Sequence, residues 1–142
     1  MHVRDARIED AASLASLAGE LGYSSPAAEM RARLEVLLPH RDRRILVAED
    51  DGAILGWIEA EERLTLDSSQ RVEILGLVVG TTARRRGVGA ALVSAAEAWA
   101  RALAVGAVTV RSNVLRAESH PFYERMGFAR TKTQHYYRKR LD

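Results

Sequence analysis

The stretch VEILGLVVGTTARRRGVGAALVSAAEAW, Val72 to Trp99, decides the fold. It passes from a nearly continuous apolar run, through three arginines and a Gly-x-Gly, into an Ala-rich amphipathic run. The apolar run reads as a strand buried on both faces and central in its sheet. Gly76 inside it predicts a bulge or a close backbone approach. The second run predicts a long helix from Gly87 to Leu103, with Val88, Leu92, Ala95, Ala96, Trp99 and Leu103 on its apolar face and Gly106 as its stop. The arginine turn therefore ends at a helix N-terminus, where backbone N–H groups lack partners and the helix dipole is positive. Gly87 and Gly89 have no Cβ, so an anion can approach the backbone, and Arg84, Arg85 and Arg86 add charge-assisted donors. A Walker loop would need Gly-Lys-Ser/Thr here, and Leu92 stands where the dinucleotide fingerprint requires its third glycine. What remains is R-x-x-G-x-G after an apolar strand, which is an anion site or a solvated basic turn.

Working outward, the period-2 runs RILVAED and AILGWIEAEER meet at Asp51-Gly52, a two-residue hairpin signal. Ahead of them, HVRDA is a short strand. Leu14, Leu17, Ala18 and Leu21 recur at helical spacing until Gly22. A second helix opens with Ser25 as cap and Pro26 in its first turn, and Pro39 stops it. Downstream, AVTVRS is a strand and SHPFYERMGF a short helix capped by Ser119 and ended by Gly127. The tail ARTKTQHYYRKRL reads as a strand pair. The predicted order is β-α-α-β-β-β-α-β-α-β-β, an α+β fold around a mixed, mostly antiparallel sheet, and 142 residues suit one domain spanning 1–142. A net charge of +2 does not announce a nucleic-acid binder, and the absence of cysteine excludes thiol catalysis, disulfides and thiolate metal sites. No apolar run approaches the roughly 20 residues that span a bilayer. The polar start MHVRDARIED lacks a signal-peptide core, so the expected location is cytoplasmic, with no membrane partner.

With these residues in view, the chain resembles the GNAT superfamily of acetyl-CoA-dependent N-acetyltransferases. In that family a Q/R-x-x-G-x-G/A segment wraps the coenzyme A pyrophosphate, and Arg84, Gly87 and Gly89 match its specified positions. A second match lies in RSNVLRAESHPFYERMGF, through Asn113, Ala117, His120, Phe122, Tyr123, Glu124, Gly127 and Phe128. The resemblance spans essentially the whole chain. It implies a GNAT-like fold, acetyl-CoA as acetyl donor with no metal, and direct transfer to a primary amine in a ternary complex. It also implies coenzyme contacts along Leu77, Val78 and Val79, around the turn Arg84, Arg85, Arg86, Gly87, Val88, Gly89 and Ala90, and at Asn113. Tyr123 matches the tyrosine that protonates the departing thiolate. Glu73, 14 residues before Gly87, matches the general-base glutamate of some histone-acetylating members, with a water relay as the alternative. His120 reads as a packing or substrate-wall residue. Two departures stand out. Thr81 replaces a frequent proline, implying a less rigid turn, and Pro121 implies that the last helix begins near Ser119.

The acceptor implied is a small-molecule amine, aminoglycoside-, polyamine- or amino-acid-like. Protein lysine or N-terminal acetylation, or a non-catalytic acetyl-CoA-binding module, are the alternatives. Glu59 and Glu61 share a strand face and could draw a cationic amine, although paired surface charge is the blander account. A nucleic-acid partner is not expected, because Tyr136 and Tyr137 in the basic tail would alternate across a strand. The C-terminal HYYRKRL is compatible with a homodimer.

Overall fold

The computed structural model describes residues 1–114 and 119–142. It divides into two compact units, Met1–Arg111 and Ser112–Asp142.

The first unit is built on a five-stranded sheet in the order β1-β2-β3-β4-β5, with β1 at His2–Asp5, β2 at Arg43–Asp50, β3 at Ala53–Thr65, β4 at Ser68–Val79 and β5 at Val108–Val110. All neighbours are antiparallel except β4 and β5. Three helices complete the unit: α1 (Ala11–Glu20), α2 (Ala27–Leu37) and α3 (Val88–Ala102). The last of these supplies the crossover that a parallel β4–β5 pair requires. This is the α+β architecture expected from the sequence. The β2–β3 turn holds Asp51 at φ 49° and Gly52 at φ 80°, the left-handed pair of a type I′ hairpin.

Strand alternation sorts the core into two layers. Ile45 and Val47 pack with Leu14 of α1 and Leu34 of α2 on one face. On the other face α3 presents Val88, Leu92, Val93, Ala96 and Ala100, all buried. Ala95, Trp99 and Leu103, expected on that apolar face, are only half-buried. Gly56 shows how closely α3 approaches: a Cβ there would lie 3.1 Å from Val88 and 3.3 Å from Leu92.

The strand after which the fold was read, β4, lies one place from the sheet edge rather than at its centre. Its register with β3 slips between Glu59 and Ala60, which pair with Gly76 and Ile74, so Leu75 is the extra residue of a bulge. Leu75 is 41% exposed, so this part of the strand is not buried on both faces. At Gly76 a Cβ would lie 3.2 Å from the Trp57 ring, so the ring would have to shift to admit a side chain. Pairing with β5 ends at Ile74–Val110, so β4 from Leu75 to Val79 runs on without a β5 partner.

Two expected helix signals are corrected. Ser25 does not cap α2: Pro26 takes the N-cap position without a side-chain bond, and the Ser25 hydroxyl instead accepts from Arg33 at 3.1 Å. Gly106 does not end α3. Ala104, at φ 61°, takes the left-handed position, with Val105 N–H donating to the Ala100 carbonyl and Ala104 N–H to Arg101. That pairing is the Schellman arrangement, which satisfies the last carbonyls before Gly106 is reached.

The second unit holds α4, Ser119–Arg125, beginning where Pro121 implied. Gly127 at φ 92° closes it, with Phe128 N–H donating to Tyr123 and Gly127 N–H to Glu124, again a Schellman end. The Tyr123 and Phe128 rings meet edge-on at 5.7 Å, the apolar contact that accompanies this motif. The strand pair expected in the tail does not form: residues 129–142 carry no regular element and are exposed throughout. Alternation across a strand therefore does not apply to Tyr136 and Tyr137, which are both exposed. The tail holds Arg130, Lys132, Arg138, Lys139 and Arg140 among few apolar residues, so it has little to bury against a partner strand. The Ser119 cap and Ala117 lie outside what is described.

Candidate functional site

The arginine turn begins with a 3-10 turn at Thr81–Ala83, whose Ala83 is buried. The chain then alternates in hand. Arg84 is extended (φ −64°, ψ 149°), Arg85 is left-handed at φ 65°, and Gly87 is left-handed at φ 78° as the N-cap of α3. A non-glycine residue in that region is uncommon and costs energy. A Cβ at Gly87 would meet nothing within 4 Å, so the demand for glycine is conformational and the space beside it is open.

Ala91 N–H is the donor that closes on the Gly87 carbonyl, at 3.0 Å. The N–H groups of Val88, Gly89 and Ala90 therefore precede the α3 ladder, and Gly87 has no side chain to cap them. Three donors at the positive end of a helix dipole, beside open space, fit a phosphate. The Val88 side chain is buried in the core, so only its backbone could serve such a ligand. The arginines are exposed but not equivalent. Arg86 donates to Asp50 of the β2–β3 hairpin at 3.0 Å, while Arg84 contributes its charge to the environment of Glu20.

Thr81 is anchored more firmly than its replacement of a proline implied. Its N–H and its hydroxyl both donate to Glu20 Oε1, at 2.9 and 2.7 Å, across 61 residues of sequence. These bonds hold the Glu20 carboxyl below its ordinary value, the Thr81 N–H first among the causes. The turn is tied to the end of α1.

On β4, Leu77 and Val79 are half-buried and Val78 buried. Because β5 has ended, the alternate N–H groups that point away from β3 in this segment lie outside the β4–β5 ladder. Trp57 pairs with Val78 in register, packs on Gly76, and has its indole N–H buried without a partner in the structure. Sequence reasoning passed over it.

Glu73 is 5% exposed and ringed by guanidiniums. Arg63 donates to it at 2.9 Å, Arg111 and Arg71 lie at 3.7 and 4.0 Å, and Thr109 of β5 donates at 3.3 Å. The cost of burying this carboxylate is offset by charge pairing and hydrogen bonds. Glu59 and Glu61 do share a face, and Arg43 on β2 bridges both. The paired-charge account of these two residues is the one the structure shows.

In the second unit the Asn113 carbonyl accepts from the His120 ring at 3.0 Å, so His120 links the start of α4 to the segment that leaves Arg111. Tyr123 is half-buried between Phe122 and Phe128, with edge-on ring contacts at 5.1 and 5.7 Å. Among the described residues, no group of three His, Asp or Glu could hold a metal ion, and no helix is long and apolar enough to cross a membrane.

A bulged strand parts from its parallel neighbour and is followed by a left-handed glycine at the start of the crossover helix. The chain belongs to the acetyltransferase (GNAT) family, whose model matches residues 11–128. It is similar to the uncharacterized N-acetyltransferase YhfO of Bacillus subtilis, 28% identical over 133 residues, covering 90% of this chain and 89% of that protein. Its fold matches aminoglycoside 6'-N-acetyltransferase AAC(6')-IG of Acinetobacter haemolyticus at TM-score 0.86 and 23% identity, over 100% of both chains. It also matches AAC(6')-Iy bound to a bisubstrate analogue, CoA-S-monomethyl-acetylneamine, at TM-score 0.85 and 23% identity, over 99% of this chain and 98% of that one. The protein is an acetyl-CoA-dependent N-acetyltransferase.

Proposed function

We propose that this cytoplasmic enzyme, working as one catalytic domain over residues 1–142, acetylates the primary amine of a small molecule that is aminoglycoside-, polyamine- or amino-acid-like. The observation that carries the small-molecule reading is the match in fold, along the whole chain, to enzymes that acetylate aminoglycosides. Bound acetyl-CoA supplies a thioester, and this chain's residues orient it and manage the protons. Phosphates would lie against the N–H groups of Val88, Gly89 and Ala90, with Arg84 and Arg85 beside them and Arg86 held back on Asp50. Backbone N–H groups of Leu77, Val78 and Val79 would line the pantetheine and polarise the acetyl carbonyl as negative charge develops on its oxygen, and Asn113 would add a contact to the pantetheine arm. Tyr123 donates a proton to the departing sulfur. The amine's proton leaves through water to Glu73.

Calorimetric titration of acetyl-CoA into the wild type and Arg84→Ala tests the donor site. A screen of aminoglycosides, polyamines, amino acids and peptide amines for thiol release then tests the acceptor. Tyr123→Phe should lower kcat by about 100-fold or more while leaving acetyl-CoA binding intact. Glu73→Gln should lower kcat while leaving acetyl-CoA binding intact. Turnover confined to peptide amines would replace the small-molecule reading with protein acetylation, and binding without turnover on any amine would leave a sensing module.

A further inference from the structure

Glu20 sits at the last position of α1, where a carboxylate meets the negative end of the helix dipole. Local helix energetics disfavour it there, and no partner lies on its own helix. Its partner is Thr81, which donates both its N–H and its hydroxyl to the single oxygen Oε1. The contact is tight beside this pair as well. A Cβ on Gly80 would lie 3.0 Å from Leu17 of α1, 3.3 Å from the Leu55 carbonyl and 3.8 Å from Glu20 Oε2. Gly80 N–H donates to that same Leu55 carbonyl at 2.9 Å. The backbone leaving β4 is thus held from two sides just before Arg84. Three residues past Thr81 the chain enters the alternating Arg84–Gly87 conformations, whose left-handed residues need a fixed approach.

We infer that Glu20 is a positioning residue for the phosphate-binding turn: through Thr81 it holds the exit of β4 so that the N–H groups at the start of α3 and Arg84 meet the coenzyme in one arrangement. This rests on the reading of that turn as the acetyl-CoA site. Glu20 is itself an anion near Arg84, so charge alone makes the opposite prediction. If it acted only by repelling phosphate or neutralising Arg84, its removal would tighten acetyl-CoA binding. Positioning requires that removal weaken it, and that an uncharged acceptor of the same shape restore it.

The test is acetyl-CoA affinity by calorimetry, with thermal unfolding of each variant recorded without ligand. Glu20→Ala should raise Kd about tenfold, the scale of one or two lost hydrogen bonds, with an unfolding midpoint lowered by only a few degrees so that the protein stays folded throughout the titration. Glu20→Gln keeps an oxygen acceptor and should stay within about twofold of wild type. Thr81→Val, which removes only the hydroxyl, should raise Kd about threefold. Gly80 is extended at φ −60° and ψ 146° and Thr81 opens the 3-10 turn, so proline fits at 81. Thr81→Pro in the Glu20→Ala background should recover most of the lost affinity by fixing the backbone another way. Wild-type protein that fails to bind acetyl-CoA would overturn the site itself. Wild type that binds, with Glu20→Ala binding equally or more tightly, would overturn only the role given to Glu20.

Discussion

Replacing Gly56 by alanine adds one methyl group at the point where β3, β4 and α3 converge. The new Cβ would lie 2.7 Å from the Val78 carbonyl oxygen, 3.1 Å from Val88 Cγ1 and 3.3 Å from Leu92 Cδ1. The two side chains can rotate or shift with α3, but the carbonyl cannot, since Gly56 pairs with Val79 in the β3–β4 ladder. Overpacking a filled core costs about 1–3 kcal/mol, and a fixed backbone atom puts this case at about 3 kcal/mol. A chain of 142 residues has an unfolding entropy of about 0.3 kcal/mol per kelvin at its midpoint. The expected fall in Tm is therefore about 10 °C. Differential scanning calorimetry reads it, with the urea midpoint as an independent check. Gly19 in α1 is the control, because a Cβ there meets nothing within 4 Å. Gly19→Ala should gain about 0.5–1 kcal/mol from reduced backbone freedom and raise Tm by about 2–3 °C. A Gly56→Ala protein melting within about 2 °C of wild type would refute the claim that α3 is seated against β3 without room for a methyl group.

The left-handed Gly87 gives a second expectation. Gly87→Ala should cost about 1–2 kcal/mol of stability despite the open space, while Gly87→Asn should keep more of it. Equal melting of glycine and alanine forms would sink the conformational argument. A third concerns Asp10, 8% exposed, whose carboxylate accepts from Arg4 at 2.9 and 3.0 Å and from Arg7 N–H at 2.8 Å. Asp10→Asn should lose about 3 kcal/mol at neutral pH, the lower end for a broken buried pair, because Glu49 still accepts from Arg4. The side-chain bond to Arg4 holds the Asp10 carboxyl below its ordinary value. Its stabilisation is therefore complete above the unfolded pKa and is lost as pH falls through the folded one. Urea midpoints across pH should show the gap between wild type and Asp10→Asn closing below about pH 4; a constant gap would assign the loss to shape rather than charge.

The elements on which the sequence spoke clearly are those whose cause is local. The type I′ turn needs only Asp51-Gly52, the end of α4 needs only Gly127, and the bulge announced itself through a glycine inside an apolar strand. The glycine that opens α3 was legible for the same reason: Gly-x-Gly behind arginines is a backbone requirement written in consecutive residues. Where two local signals competed, the sequence reading went astray. Ser25 and Gly106 are both good punctuation, yet Pro26 takes the cap one residue later, where its carbonyl accepts from Met30 N–H, and Ala104 takes the left-handed position two residues earlier, where Val105 N–H closes on Ala100. The tail reads as a strand pair in the sequence, but without apolar alternation it forms no ladder.

Partners across the sheet were not legible at all. Glu73 was singled out by its spacing from Gly87, and only the register of β3, β4 and β5 shows Arg63, Arg111 and Thr109 around it. Trp57 drew no notice until Gly76 was found beneath its ring. Glu20 and Thr81 are 61 residues apart, and neither carries a motif. By itself the sequence determined the elements up to α4, their order and the left-handed glycine at the start of α3, because those depend on torsions and on neighbours a few residues away. Which charges meet, which glycine must yield to a helix and what holds the turn in place were decided by tertiary structure, since such contacts depend on strand register and helix seating.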